Sequence, residues 1–530
     1  MLATAAHAAD EPTVPLADDL GSLHFPVTRC SAKAQDYVDQ GVRYVYAFNH
    51  DEAVRSFEQA SRLDPGCAMA YWGKALALGP NYNLPIDSER ARAARSTVAE
   101  AVARAGKTSP RERAYIAALA KRYAKPEVGT DRKALDVAYA NAMRDVARRY
   151  PDDPDAQVMF AESLMVLRPW DLWTLDGKPQ PGTLEIVETL EGALKRWPGH
   201  PGANHYYIHA VEASGNPERA LRAADTVAAT MPGAGHIVHM PSHIYMRVGR
   251  YQDATETNRR AIAVDEKYIA AGAPEGVYPM MYYPHNIHFM WSAASMEGRT
   301  AEATVAAQKL DGHLDPAMVR EMPAMEYFAP TLIVTFVRFG KWDQVLAVPA
   351  PPDDLAFWRG MWLHGRGLAL AATGKLPEAD AAHAELATIV DAIPGDRIIG
   401  DNQPAREHLR LAATILAGEI AARRGRTDEA IRTLEEAVRL EDKLPYTEPP
   451  AWYAPVRHRL GALLLRDGKL AEAEAVYRED LRRNPDNGWA LYGLAATLRK
   501  EGKTAEAAEV DARFQRAWTR ADVKLQASVL

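Results

Sequence analysis

Along residues 34–67, AQDYVDQGVRYVYAFNHDEAVRSFEQASRLDPGC, apolar and small residues return every three to four positions in two stretches separated by a short polar break. That spacing predicts a pair of amphipathic helices rather than strands. With Ala34 as position 1, Gly41 falls at 8, Tyr44 at 11, Ala53 at 20, Phe57 at 24, Ala60 at 27 and Pro65 at 32. Small residues at 8 and 20 let two antiparallel helices approach closely, and the proline ends the second. The frame recurs at 460–487, with Gly461, Gly468, Ala473, Tyr477 and Pro485, and at 415–437, with Gly418, Gly425, Ala430, Leu434 and Ala437. Further units fit at 201, 235, 284, 360 and 488, with looser helical pairs around 68–165 and 326–350, giving about a dozen hairpins.

This 34-residue pattern resembles the tetratricopeptide repeat. The resemblance implies an all-α, right-handed superhelical solenoid whose concave groove binds ligands. Two blocks, HMPSHIYMRVGRY (239–251) and YYPHNIHF (282–289), are similar to those of large secreted bacterial tetratricopeptide proteins, over most of residues 30–520. That closer likeness implies fold and secretion and names no reaction. The organisation expected is an export-signal remnant and N-terminal segment (1–33), N-terminal hairpins (34–199), central histidine-bearing units (200–312) and C-terminal units (313–530).

The repeat frame can be set without using histidine. Gly215 and Ala220, Gly249 and Ala254, and Gly298 and Ala303 occupy positions 15 and 20 of units that begin at Pro201, Gly235 and Pro284. His205 and His209 then sit at positions 5 and 9 of the first unit. His236, His239 and His243 sit at 2, 5 and 9 of the second, and His285 and His288 at 2 and 5 of the third. Seven of these nine grid positions are histidine, the exceptions being Gly202 and Ser292, in a chain with 16 His among 530 residues. Steps of three and four place such positions on one face of a helix. The sequence thus predicts a ladder of imidazoles across three neighbouring helices.

Neutral imidazole is the commonest metal ligand, and i,i+4 pairs such as His205/His209 and His239/His243 converge on one ion. Nitrogen ligands in this number suit copper, zinc, iron or nickel rather than calcium or magnesium. With no thiolate nearby, copper(II) and zinc lead, with iron as a further choice. Two other readings stand beside a metal site: a groove holding a partner peptide, and a structural histidine ladder. Pro241, between His239 and His243, either kinks the helix or starts it afresh and leaves His236 and His239 on an entry loop.

Glu212, three residues after His209, would ligate, orient an imidazole or act as a general base, and is the candidate catalytic residue. Tyr206, Tyr282, Tyr283 and Trp291 surround the ladder in sequence and are candidates for substrate binding or for core. His364 and His458 occupy position 5 of their own units, and Arg457 joins them as a groove candidate. They would face the central site if the superhelix curls tightly. His50 reads as a turn residue. Gly/Pro/aromatic insertions at 79–85, 168–182, 270–284 and 442–455 interrupt the array and suit a binding face.

No GxSxG, P-loop, HExxH or dinucleotide fingerprint is present, so catalysis would run through a bound metal, as a metal-dependent oxidoreductase or hydrolase. A net charge of −7 without basic clusters argues against nucleic acid as a partner. No apolar run reaches the ~18 residues of a membrane span. The start, MLATAAHAADEP, resembles the cleavage end of a secretory signal. Cys30 and Cys67, the only two cysteines, fit one disulfide in a periplasmic or secreted protein, or else two separate buried thiols. The functional expectation is an exported metalloprotein acting on a small ligand. The alternative is a periplasmic scaffold binding a protein or peptide in its groove.

Overall fold

The computed structural model describes residues 14–125, 132–272 and 276–530. The signal-like start and part of the 270–284 insertion lie outside the described residues. The fold is all-α: the described residues form 26 α-helices joined by turns and by several longer insertions, in keeping with about a dozen hairpins. The described strands are two residues long, Ile398–Ile399 paired antiparallel with Gln403–Pro404.

Helix pairing follows from the small residues of the repeat frame. In the hairpin Ala32–Tyr46 and His50–Leu63, the Phe57 ring is fully buried. It fills the space beside Gly41 and also beside Gly73 of the next helix, Ala68–Ala77. A Cβ at those glycines would lie 2.6 and 2.2 Å from the ring. Far along the chain, Tyr477 repeats the arrangement, with Cβ positions of Gly461 and Gly493 at 2.5 and 2.2 Å from its ring. In both places one aromatic wedge locks a hairpin to its successor, and two glycines set how closely the helices approach. Short polar caps define the helix starts: Ser31 accepts from Ala34 N, Asn49 from Glu52 N and Asn487 from Ala490 N.

The described residues divide into two compact units. Among them, the first draws on residues 14–172, Pro181–Ala210 and Thr226–Ile237, the second on Trp173–Gln180, Val211–Asp225 and Val238–Leu530. In the first unit an N-terminal arm lies against the opening hairpins, with Phe25 stacked 5.4 Å from Trp72 and edge-on to Tyr115. Cys30, just before the first helix, is joined to Cys67, the N-cap of Ala68–Ala77, by a disulfide.

In the second unit the C-terminal repeats return to the central ones. Trp489 Nε1 donates to the Ser295 carbonyl at 3.0 Å. Asp522 accepts from Thr300 N and Ala301 N, capping the Thr300–His313 helix. Gly249, in the left-handed region at φ 78°, is seated so close to Pro485 that a Cβ would lie 2.4 Å from its carbonyl oxygen. The sequence allowed a tight curl that brings late repeats back to central ones, and within this unit the curl is present.

Candidate functional site

The ladder resolves into two buried groups of three histidines. His205, His209 and His236 form one and His239, His243 and His285 the other. Within each group one ligand atom per residue lies within 4.8 Å of the others.

In the first group, His205 and His209 project from the helix Pro201–Val211. The His205 Nδ1 lies 2.6 Å from the Tyr46 carbonyl oxygen. A carbonyl only accepts, so Nδ1 carries the proton and Nε2 keeps its lone pair. That lone pair faces His236 Nε2 at 3.2 Å. Two nitrogens bound tetrahedrally at about 2.05 Å from an ion would sit about 3.3 Å apart. Gly202, an exception in the histidine grid, is explained by Tyr46, whose ring would lie 2.4 Å from a Cβ there. Tyr46 is held in turn by its hydroxyl on Asp155, at 2.7 Å.

Phe48 packs on all three imidazoles, with centroid distances of 4.5 Å to His205, 5.9 Å to His209 and 5.5 Å to His236. Its backbone is left-handed, φ 55°, an uncommon and strained conformation for a bulky side chain. Tyr82 and Trp170, from the insertions at 79–85 and 168–182, stack on each other and flank His209. Tyr206 packs against Tyr46 and Phe48 as part of this wall.

In the second group the hydrogen bonds are more constraining. His239 Nδ1 lies 2.7 Å from Asn258 Oδ1. The Asn258 amide nitrogen is committed to the Ala254 carbonyl, so its oxygen is the atom presented. His243 Nδ1 lies 2.5 Å from Glu212 Oε2, with both side chains 1% exposed. Each Nδ1–H therefore donates outward, and the two Nε2 atoms meet at 2.8 Å. With both Nδ1 atoms donating, two neutral imidazoles would oppose lone pair to lone pair; a shared proton, a proton brought by the Glu212 carboxyl or a metal ion relieves the contact. His285, half-buried, completes the group at centroid distances of 4.8 and 5.8 Å, and Phe289 walls all three.

The effect of Pro241 is now visible. One short helix, Gly235–His239, ends, and another, Pro241–Arg247, begins, while Met240 between them keeps helical angles. His236 and His239 therefore sit on a helical turn and not on an open loop. The convergence of His239 and His243 survives the break. Of the roles open to Glu212, the geometry places its carboxylate on the outer nitrogen of His243, where it orients the imidazole.

Several sequence candidates lie elsewhere. His288 stacks on Trp291 at 4.8 Å, between Tyr327 and Phe328, and burial lowers its pKa to about 3. It is a neutral core residue outside both triads. Trp291 donates to Thr335 Oγ1 at 2.6 Å. Tyr283 donates to Glu266 at 3.0 Å and meets His313 edge-on, while Tyr282 stacks on Tyr278. His364 bonds to the Ala412 carbonyl and Tyr453, His458 to Asp480 and Arg338. His50 opens its helix buried, with Nδ1 2.9 Å from the Ala77 carbonyl oxygen.

The second unit also holds a cavity of 830 Å³, walled by the 442–455 insertion, Trp173, Arg247, Tyr251 and Ser292, the other exception in the histidine grid. Arg457, on its rim, is held by Asp442 at 2.8 and 2.6 Å. Glu448 is 3% exposed, and burial pushes its pKa up to about 7, opposed by the Arg247 cation and reinforced by the Glu212 carboxylate. Among the described residues no helix is long and apolar enough to cross a membrane.

Residues 38–78 and 458–522 match the tetratricopeptide repeat family. The chain carries these repeats near both ends, and its class is that of all-α solenoid proteins built from helical hairpins. No curated protein sequence matches it. Among solved structures it is similar to a human IFIT1 dimer with m7Gppp-AAAA, at 14% identity and TM-score 0.34 over 92% of this chain and 90% of that one. It is also similar to yeast Tom70, at 12% identity and TM-score 0.29 over 92% and 90% of the two chains.

Proposed function

We propose that this is an exported transition-metal protein in which each histidine triad holds one ion, copper or zinc, with iron as the further choice. The observation that carries the reading is the 2.8 Å approach of His239 Nε2 and His243 Nε2 while both Nδ1 atoms are held by acceptors. Three imidazoles per site leave a coordination position for water or a substrate atom, the pattern of catalytic sites; a fourth protein ligand would suit storage. The His243–Glu212 pair supplies the carboxylate that fixes tautomer and raises ligand basicity. Export is supported by the Cys30–Cys67 disulfide, a bond typical of oxidising compartments. A bound metal would supply water activation or redox chemistry; the chain supplies the positioned ligands and aromatic walls.

Titration of metal-free protein with cobalt(II), an optical stand-in for zinc, tests the reading. Intense visible absorption saturating at two equivalents, and falling to one in His239→Ala or His205→Ala, is the expected result. No absorption change together with no copper(II) band would refute it and return the groove to the peptide-binding alternative.

A further inference from the structure

The 830 Å³ cavity of the second unit is within the size range of small-molecule sites. Most charged groups on its wall are already satisfied. Asp442 holds Arg457 and Arg483, Glu479 holds Arg482, and Asp480 is held by His458 and Asn487. Three polar atoms are not. Arg247 Nε, Tyr251 Oη and Glu448 Oε2 are buried without a hydrogen-bond partner, and all three residues line this cavity. Tyr251 is 5% and Glu448 3% exposed. Such groups are costly to leave unmet and mark where a ligand's polar atoms belong.

Their disposition is specific. Tyr446 stands between the two charges: its hydroxyl donates to Glu448 Oε1 at 2.5 Å, and the Arg247 guanidinium lies 5.5 Å from its ring. No ion pair joins Arg247 to Glu448 among the described residues, so a guanidinium and a carboxyl group face one space, each with capacity left. Trp173 and Trp452 contribute apolar wall. Arg247 and Tyr251 follow His243 at four and eight residues, so one sequence block supplies both a triad and this wall. Glu448 comes from the 442–455 insertion, which is pinned by Asn402 on the Tyr446 carbonyl.

We infer that this cavity is a binding site for a small zwitterion, an amino acid or short peptide, whose carboxylate meets Arg247 and Tyr251 and whose ammonium meets Glu448. A neutral polyol would satisfy hydrogen bonds but leave both charges uncompensated. The site and the second triad share an element, since His243 and Arg247 both stand on the helix Pro241–Arg247. The inference names the substrate class for the function proposed above and rests on that reading for the chemistry, though not for binding.

The test is calorimetric titration of the full chain, metal-free and metal-loaded, with the dipeptides Gly-Phe, Gly-Glu and Gly-Lys, their N-acetyl and C-amide derivatives, and glucose. At least one free dipeptide is expected to bind at one site, and blocking either end should weaken it about tenfold or more. Glu448→Gln and Tyr251→Phe, both close in shape to the native residues, should weaken it by a similar factor while metal content is retained. His239→Ala should lose the metal of the second triad yet keep dipeptide binding, which separates failure of the metal reading from failure of this one. Absence of heat with all three dipeptides, equal affinity for the blocked forms, or binding of glucose in their place would overturn the inference.

Discussion

Replacing Glu212 by Gln tests whether the buried carboxylate serves the second triad. The Glu212–His243 contact is 2.5 Å long and both side chains are 1% exposed, so water cannot replace what is lost. Gln keeps the shape and can still accept the Nδ1 proton through its carbonyl oxygen, but it removes the negative charge. A bound cation makes the imidazole more acidic, so the charged acceptor matters more in the metal-bound state than without metal. Loss of such a partner lowers metal affinity by roughly 10- to 100-fold, or about 1.4–2.7 kcal/mol. The assay is chelator competition for copper and zinc in a His205→Ala background, so that only the second triad reports. An affinity within twofold of the parent would refute the reasoning, because the carboxylate would then be a structural partner only.

Three other outcomes follow. His288→Phe should leave metal stoichiometry unchanged and make stability less sensitive to acid. The folded imidazole stays neutral down to about pH 3, whereas in the unfolded chain it binds a proton below about pH 6.5. The parent is therefore fully stabilised above pH 6.5 and loses roughly 1.4 kcal/mol per pH unit as pH falls toward 3, a slope the variant lacks in denaturation measured across that range. Gly202→Ala, which touches no ligand, should push the Tyr46 ring and cost about 1–3 kcal/mol. It should weaken the His205 site selectively; unchanged cobalt spectra in a His239→Ala background would contradict this. Reducing Cys30–Cys67, 37 residues apart, should lower stability by about 4 kcal/mol, and an unchanged denaturation midpoint would count against it.

The fold was legible because its determinants are local and periodic. Gly41 and Phe57 recur as Gly461 and Tyr477 at the same spacing, and the structure packs both pairs alike. The two triads were legible as a grid of seven histidines, but their division into threes was not. A step of three turns a helix 300°, so His288 lies about 60° round from His285 and joins the seam of Trp291. Tyr283, two residues before His285, falls nearly opposite it and packs on the next helix. The partners that fix the imidazoles left little signal. The Tyr46 carbonyl is a backbone group 159 residues from His205, and Asn258 sits on the second helix of its hairpin, outside the grid. Phe48 was hidden in a turn, betrayed only by a left-handed backbone that no sequence pattern shows.

Elemental analysis of untagged protein, exported by its host and purified without chelator, decides whether the triads hold metal. About two equivalents of copper or zinc per chain are expected, one lost in His239→Ala and the other in His205→Ala. Absence of stoichiometric metal, even after loading with copper and zinc, would contradict the metal reading.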